Sequence, residues 1–152
     1  MHRRVLISTT ASIALAFLLA TSALAIGGAP RVATLSGANE VPPADPDGSG
    51  SAEIILNVGQ GTVCWDITVA DIVLPAAASH IHLAPAGVNG DVVVPLSPPD
   101  ATGRSSGCRE NVDPALIQAI IDFPDAYYVN VHNSVYPGGA VRGQLSNPGQ
   151  GK

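Results

Sequence analysis

The chain predicts an all-β fold, an antiparallel sandwich or barrel of about seven to eight strands with one short helix. Three observations carry this. Apolar residues recur at strand spacing over most of the length, Gly and Pro punctuate the runs, and a single segment shifts to helical spacing. Short strands separated by turn residues are the pattern of antiparallel all-β domains.

The first 25 residues read as an export signal. His2-Arg3-Arg4 gives a positive start, residues 5–19 are almost wholly apolar, and Ala23-Leu24-Ala25 offers a small-x-small cleavage pattern. A spanning helix needs about 20 apolar residues, and Ser8, Thr9, Thr10 and Ser12 interrupt this one. The expected organisation is therefore a signal over residues 1–25, cleaved after Ala25, one β-domain over 26–146 and a flexible tail over 147–152. The mature protein is then secreted or extracytoplasmic, with no membrane span.

Net charge is −5, and losing Arg3 and Arg4 takes it to −7. That sign argues against a nucleic-acid partner, which needs clustered Lys and Arg. The charges are scattered, as on an ordinary solvated surface.

Strands are expected over residues 34–36, 52–58, 62–70, 79–83, 91–96, 127–132 and 140–145, each short and either β-branched or alternating. Gly59-Gln60-Gly61 marks a hairpin between the second and third, because glycine supplies the positive φ of tight turns. Residues 94–110, rich in Pro, Ser and Gly, read as a long loop. In the helical segment Asp113 is the expected N-cap and Pro114 the first helical residue. Leu116, Ile120 and Phe123 share one face, and Pro124 ends the helix. Cys64 and Cys108, an even count in an exported chain, are expected to form a disulfide.

All histidines beyond the signal fall in one constellation: His80-Ile81-His82, and His132 at the end of Tyr127-Tyr128-Val129-Asn130-Val131-His132. Residues two apart on a strand point the same way, so His80 and His82 share one face, opposite Ile81 and Leu83. The same count sets Tyr128, Asn130 and His132 against Val129 and Val131. Imidazole suits copper and zinc, so a three-histidine metal site outside the core is expected, with a coordination position left open. Its walls would be residues 84–90, the Pro-rich segment after Leu96 and residues 133–139. Glu40, Asp91, Asn130 and Tyr136 are candidates for a fourth ligand or for support behind the ligands. The competing reading is a set of polar residues hydrogen-bonded to loops.

Two further patterns fail on context. Gly103-Arg104-Ser105-Ser106-Gly107 matches a nucleophile elbow but lacks the parallel sheet and following helix that the elbow requires. Asp45-Pro46-Asp47-Gly48-Ser49-Gly50 begins like a calcium loop, yet the final ligand position falls on Leu56.

Four stretches in order resemble the CHRD (chordin-type) domain family, as in its secreted bacterial members. They are Leu35-Ser36-Gly37-Ala38-Asn39-Glu40-Val41-Pro42-Pro43; His80-Ile81-His82 with Gly87-Val88-Asn89-Gly90; Tyr128-Val129-Asn130-Val131-His132 with Tyr136-Pro137-Gly138-Gly139; and Arg142-Gly143-Gln144-Leu145. Two positions depart from the family pattern: Ala140 replaces a common acidic residue, and Ala84-Pro85 a more usual glycine. The resemblance implies a Greek-key extracellular module and says little about activity. His-x-His also looks like the copper half of Cu/Zn superoxide dismutases, which use more histidines. The expected functions, in order, are binding of copper or zinc, a metal-independent module for an extracellular protein or cell-surface polymer, and a copper redox enzyme. A non-enzymatic role ranks first.

Overall fold

The computed structural model describes residues 27–150; the expected signal, residues 1–25, lies outside them. Eight strands form: β1 (Ala29–Ser36), β2 (Ser49–Asn57), β3 (Thr62–Ala70), β4 (Ala78–Leu83), β5 (Asp91–Leu96), β6 (Arg104–Arg109), β7 (Tyr127–His132) and β8 (Val141–Gln144). Among the described residues a single α-helix, α1 (Pro114–Asp122), precedes β7. Every pairing is antiparallel, in the order β5-β4-β7-β8-β1-β2-β3-β6. After the β1-β2-β3 meander the chain crosses to the far side of the sheet for β4, a Greek-key connection.

The sheet curls into a nearly closed barrel. Its two edge strands, β5 and β6, approach each other without a ladder. Side chains bridge the seam: Arg109 Nε donates to the Pro95 carbonyl at 2.8 Å, and the Ser105 hydroxyl donates at 2.6 Å to the Ser97 carbonyl, which also accepts from Ser79 of β4 at 2.9 Å.

Alternation explains the interior. Ala52, Ile54 and Leu56 of β2 and Val63, Trp65, Ile67 and Val69 of β3 point inward, together with Ile81, Val94, Val129, Val131 and Val141. Burying each larger aliphatic side chain stabilises the fold by about 1.5–3 kcal/mol. The β2–β3 turn places Gly61 at φ 62°, as the Gly-Gln-Gly signal requires.

Helix α1 begins as expected, with the Asp113 carboxylate accepting from the Ala115 N–H at 2.9 Å and Pro114 in the first turn. Its buried residues are Ile117 and Ile120; Phe123 is 64% exposed, because it falls at the C-cap, where the helical face no longer continues. The guanidinium of Arg31, on β1, ties the helix to the sheet by donating to the Ile121 carbonyl.

Three further expectations are corrected. β1 starts at Ala29 rather than residue 34, its early part disguised by Pro30 and Arg31. The segment read as a loop over residues 94–110 contains β6, which pairs with β3. Leu83 does not join Ile81 in the core: it ends β4 and is 47% exposed. Cys64 and Cys108 stand opposite each other on β3 and β6 and form the expected disulfide. Ser105, the would-be nucleophile, instead accepts from Trp65 Nε1 at 3.0 Å while donating across the seam.

Candidate metal centre

β4 and β7 are paired neighbours, with Ala78 opposite His132, His80 opposite Asn130 and His82 opposite Tyr128. His132 is thus diagonal to His80, and His80 and His82 stand two apart on one strand. All three imidazoles fall on the outer face, since Ile81, Val129 and Val131 occupy the inner one. Ring centroids are 5.4 Å apart for His80–His82, 5.1 Å for His80–His132 and 6.0 Å for His82–His132. One ring nitrogen from each lies within 4.8 Å of those of the other two.

The unused nitrogens decide which lone pairs face inward. His82 Nδ1 is 2.9 Å from the Gly90 carbonyl and His132 Nδ1 is 3.1 Å from the Pro137 carbonyl. A carbonyl only accepts, so both contacts put the proton on Nδ1 and leave Nε2 as a free donor pair. The His82 Nε2 so exposed is buried and has no hydrogen-bond partner. The His132 Nε2 lies 3.3 Å from His80 Nδ1. Two nitrogens bound at 2.0–2.1 Å to a tetrahedral ion stand roughly 3.3 Å apart. The three residues could therefore hold a metal ion, with His80 Nδ1, His82 Nε2 and His132 Nε2 as the nitrogens free to bind it.

Burial holds all three imidazoles below the ordinary value of 6.5. For His80 the neighbouring His132 and His82 reinforce the shift. For His82 burial outweighs the Gly90 carbonyl, which acts in the opposite direction, and Arg142 lowers it further. For His132 burial outweighs the Pro137 carbonyl. Neutral imidazole is the form that binds metal.

No carboxylate joins the three rings within that 4.8 Å group among the described residues. Glu40 faces Arg142 instead, its Oε2 3.7 Å from Arg142 Nε, and both side chains are almost wholly buried. Burial raises Glu40 to about 7 against the opposing pull of Arg142 and Asn130. Asp91 pairs with Leu83 at the end of β5 and acts on His82 only through its charge. Asn130 sits between His80 and Arg142 on adjacent strands, with its side-chain oxygen buried and unpartnered. Tyr136 lies in the loop after β7, its carbonyl accepting from the N–H groups of Asn133 and Gly139.

Behind the histidines is a layer that strand counting did not single out. Tyr128 lies parallel to His82, centroids 4.8 Å apart and planes 6° apart, and the Arg142 guanidinium sits 4.8 Å from the Tyr128 ring centre. Arg142 also donates to the carbonyls of Asn39 and Val88 and to Asn89 Oδ1, at 2.7, 3.2 and 3.0 Å. Asn39 and Asn89 donate in turn to the carbonyls of Arg142 and Val41. Gly90 joins both layers: its N–H donates to the Tyr128 hydroxyl at 3.2 Å, while its carbonyl fixes His82. A Cβ at Gly90 would lie 2.0 Å from the Leu83 carbonyl oxygen, so no side chain fits there. The Asn-Glu-Val-Pro, Gly-Val-Asn-Gly and Arg-Gly-Gln-Leu motifs are thus parts of one knot. The only earlier signal for it was their recurrence as family motifs.

The site's surroundings match two of the three expected walls. Residues 84–90 and 133–139 supply Gly90 and Pro137. The Pro-rich segment after Leu96 turns instead to the barrel seam, where the Ser97 carbonyl meets Ser79 and Ser105. The loop after β1 takes part through Glu40 and Asn39. A cleft of about 290 Å³ opens between residues 40–44 and 135–139, with Asn89 on its wall.

The family model described as CHRD domain matches residues 31–145. No curated protein is similar enough to count as a match.

Proposed function

The chain belongs to the CHRD domain family, and on that premise we propose that it is an extracytoplasmic protein that binds copper or zinc through His80, His82 and His132. One observation carries the reading: three imidazole nitrogens converge on the outer face of β4 and β7, two of them oriented by backbone carbonyls. Carbonyl-oriented imidazoles of this kind are the usual support behind a metal's ligands. The cross-strand disulfide suits an oxidising compartment. Among the described residues no helix is long and apolar enough to cross a membrane.

His80, His82 and His132 would hold the ion, and its chemistry there is that of an exchangeable centre with a position left for an outside ligand. Tyr128, Gly90 and Pro137 keep two rings in the binding orientation. Untagged protein from a copper- and zinc-supplemented host should carry close to one equivalent of metal by elemental analysis, and His80→Ala should lose it. Unchanged metal content in His80→Ala would overturn the assignment.

The second reading, a metal-independent interaction module for an extracellular protein or polymer, is favoured by the cleft beside Glu40 and by the exposure of Val135 on its rim. It predicts partner binding that survives replacement of all three histidines.

A further inference from the structure

We infer that an ion in the three-histidine site takes its remaining ligand from outside the chain, from a small organic carboxylate with an apolar body. The inference rests on the metal-binding reading and goes beyond it, and charge is its first support. Three neutral imidazoles leave a divalent ion's charge uncompensated, and among the described residues no side-chain carboxylate stands with them. Glu40 is turned to Arg142, and Asp91 lies outside the group. An anionic donor is the ligand this field favours.

The second support is the ground beside the rings. On β5, Val92 stands opposite His82 and Pro95 opposite His80, so both project from the histidine face. Val92 is 46% exposed, and Pro95 is exposed as well. A bare ion or a metal-bound hydroxide has no use for an apolar ledge at its open side. A ligand that donates through a carboxylate and lays an alkyl or aryl group on Val92 and Pro95 uses both features.

The test takes protein holding one equivalent of copper(II), or cobalt(II) as reporter where zinc is the resident ion. Acetate and benzoate are titrated separately, and the visible metal-centred absorption is followed. Both should give saturable shifts, with benzoate bound about tenfold more tightly for its extra buried apolar area. Replacing the ledge's valine by Val92→Thr should bring benzoate closer to acetate while leaving metal content unchanged. Equal affinities in the parent protein, or a benzoate preference untouched by Val92→Thr, would overturn the apolar part. Loaded protein silent to both acids would overturn the inference and leave metal binding intact. Protein that takes up no metal would remove the metal-binding reading and this one together.

Discussion

At the residue scale, what distinguishes this cluster from three polar side chains on a sheet is the fate of each ring's second nitrogen. His82 and His132 each give one N–H to a backbone carbonyl, and the orphaned Nε2 of His82 is buried. An unpartnered buried acceptor costs stability, and an ion would satisfy it. Gly90 is the position where this can be tested without touching a ligand. In Gly90→Ala the new methyl meets the Leu83 carbonyl, and the Gly90 carbonyl that orients His82 must move. Metal affinity should fall about 10–100-fold, as for other losses behind a ligand, measured by competition with a chromophoric chelator. Affinity equal to that of the parent protein would detach Gly90 from the site. The lowered imidazoles set the pH response as well. Protons compete with metal only where the rings titrate, so binding in a zinc competition titration should persist below pH 6.5, the ordinary histidine value, before it fails. A midpoint at or above 6.5 would contradict the burial of these rings.

At the scale of elements, the pairing of β4 with β7 makes the site, and Arg142 on β8 holds the loops over it. Its guanidinium reaches the loop after β1 through Asn39 and Glu40 and the loop after β4 through Val88 and Asn89. Arg142→Ala leaves the Glu40 carboxyl and several carbonyls buried without a partner. Losing one member of a buried pair costs about 3–5 kcal/mol, and urea denaturation should show a loss of that order; a change under 1 kcal/mol would deny Arg142 this role. The sequence made the histidine strands legible because period-two alternation is a local property: Ile81, Val129 and Val131 go in, and His80, His82, Asn130 and His132 go out. It could not show that β4 and β7 pair, since 43 residues, including β5, β6 and α1, intervene between them. β6 stayed hidden because Arg104-Ser105-Ser106-Gly107-Cys108-Arg109 carries no apolar alternation. Its strand character comes from pairing with β3, with Gly107 leaving room for the Trp65 ring. Arg142 was equally silent, because a buried arginine and a surface one look alike until the carbonyls around them are placed.

At the scale of the whole molecule, two buried sets of titrating groups pull stability in opposite directions. Each histidine has a folded value below 6.5, so its contribution is fully present above that pH and is lost as pH falls below it toward the folded value. Glu40 runs the other way. Its folded value of about 7 exceeds the ordinary 4.5, so its contribution is present below 4.5 and disappears as pH rises through 7. Between 4.5 and 6.5 the histidines and the Glu40 carboxyl act in opposite senses on acidification. Above 6.5 Glu40 acts alone, and stability should decline gently to about pH 8. Asp100, held low by the Thr102 hydroxyl and N–H, acts only in more acidic solution, and Tyr127, raised by burial, only in strongly alkaline solution. In the denaturation midpoint of metal-free protein, Glu40→Gln should therefore flatten the decline above pH 6.5 and steepen the loss below it. Saturating zinc should raise the whole curve most where the imidazoles are neutral, since a ligand stabilises in proportion to its affinity for the folded form. A midpoint that climbs steadily from pH 5 to pH 8 in metal-free protein, with Glu40→Gln following the same line, would mean that the Glu40 carboxyl is ionised in the fold and that its pairing with Arg142 outweighs its burial.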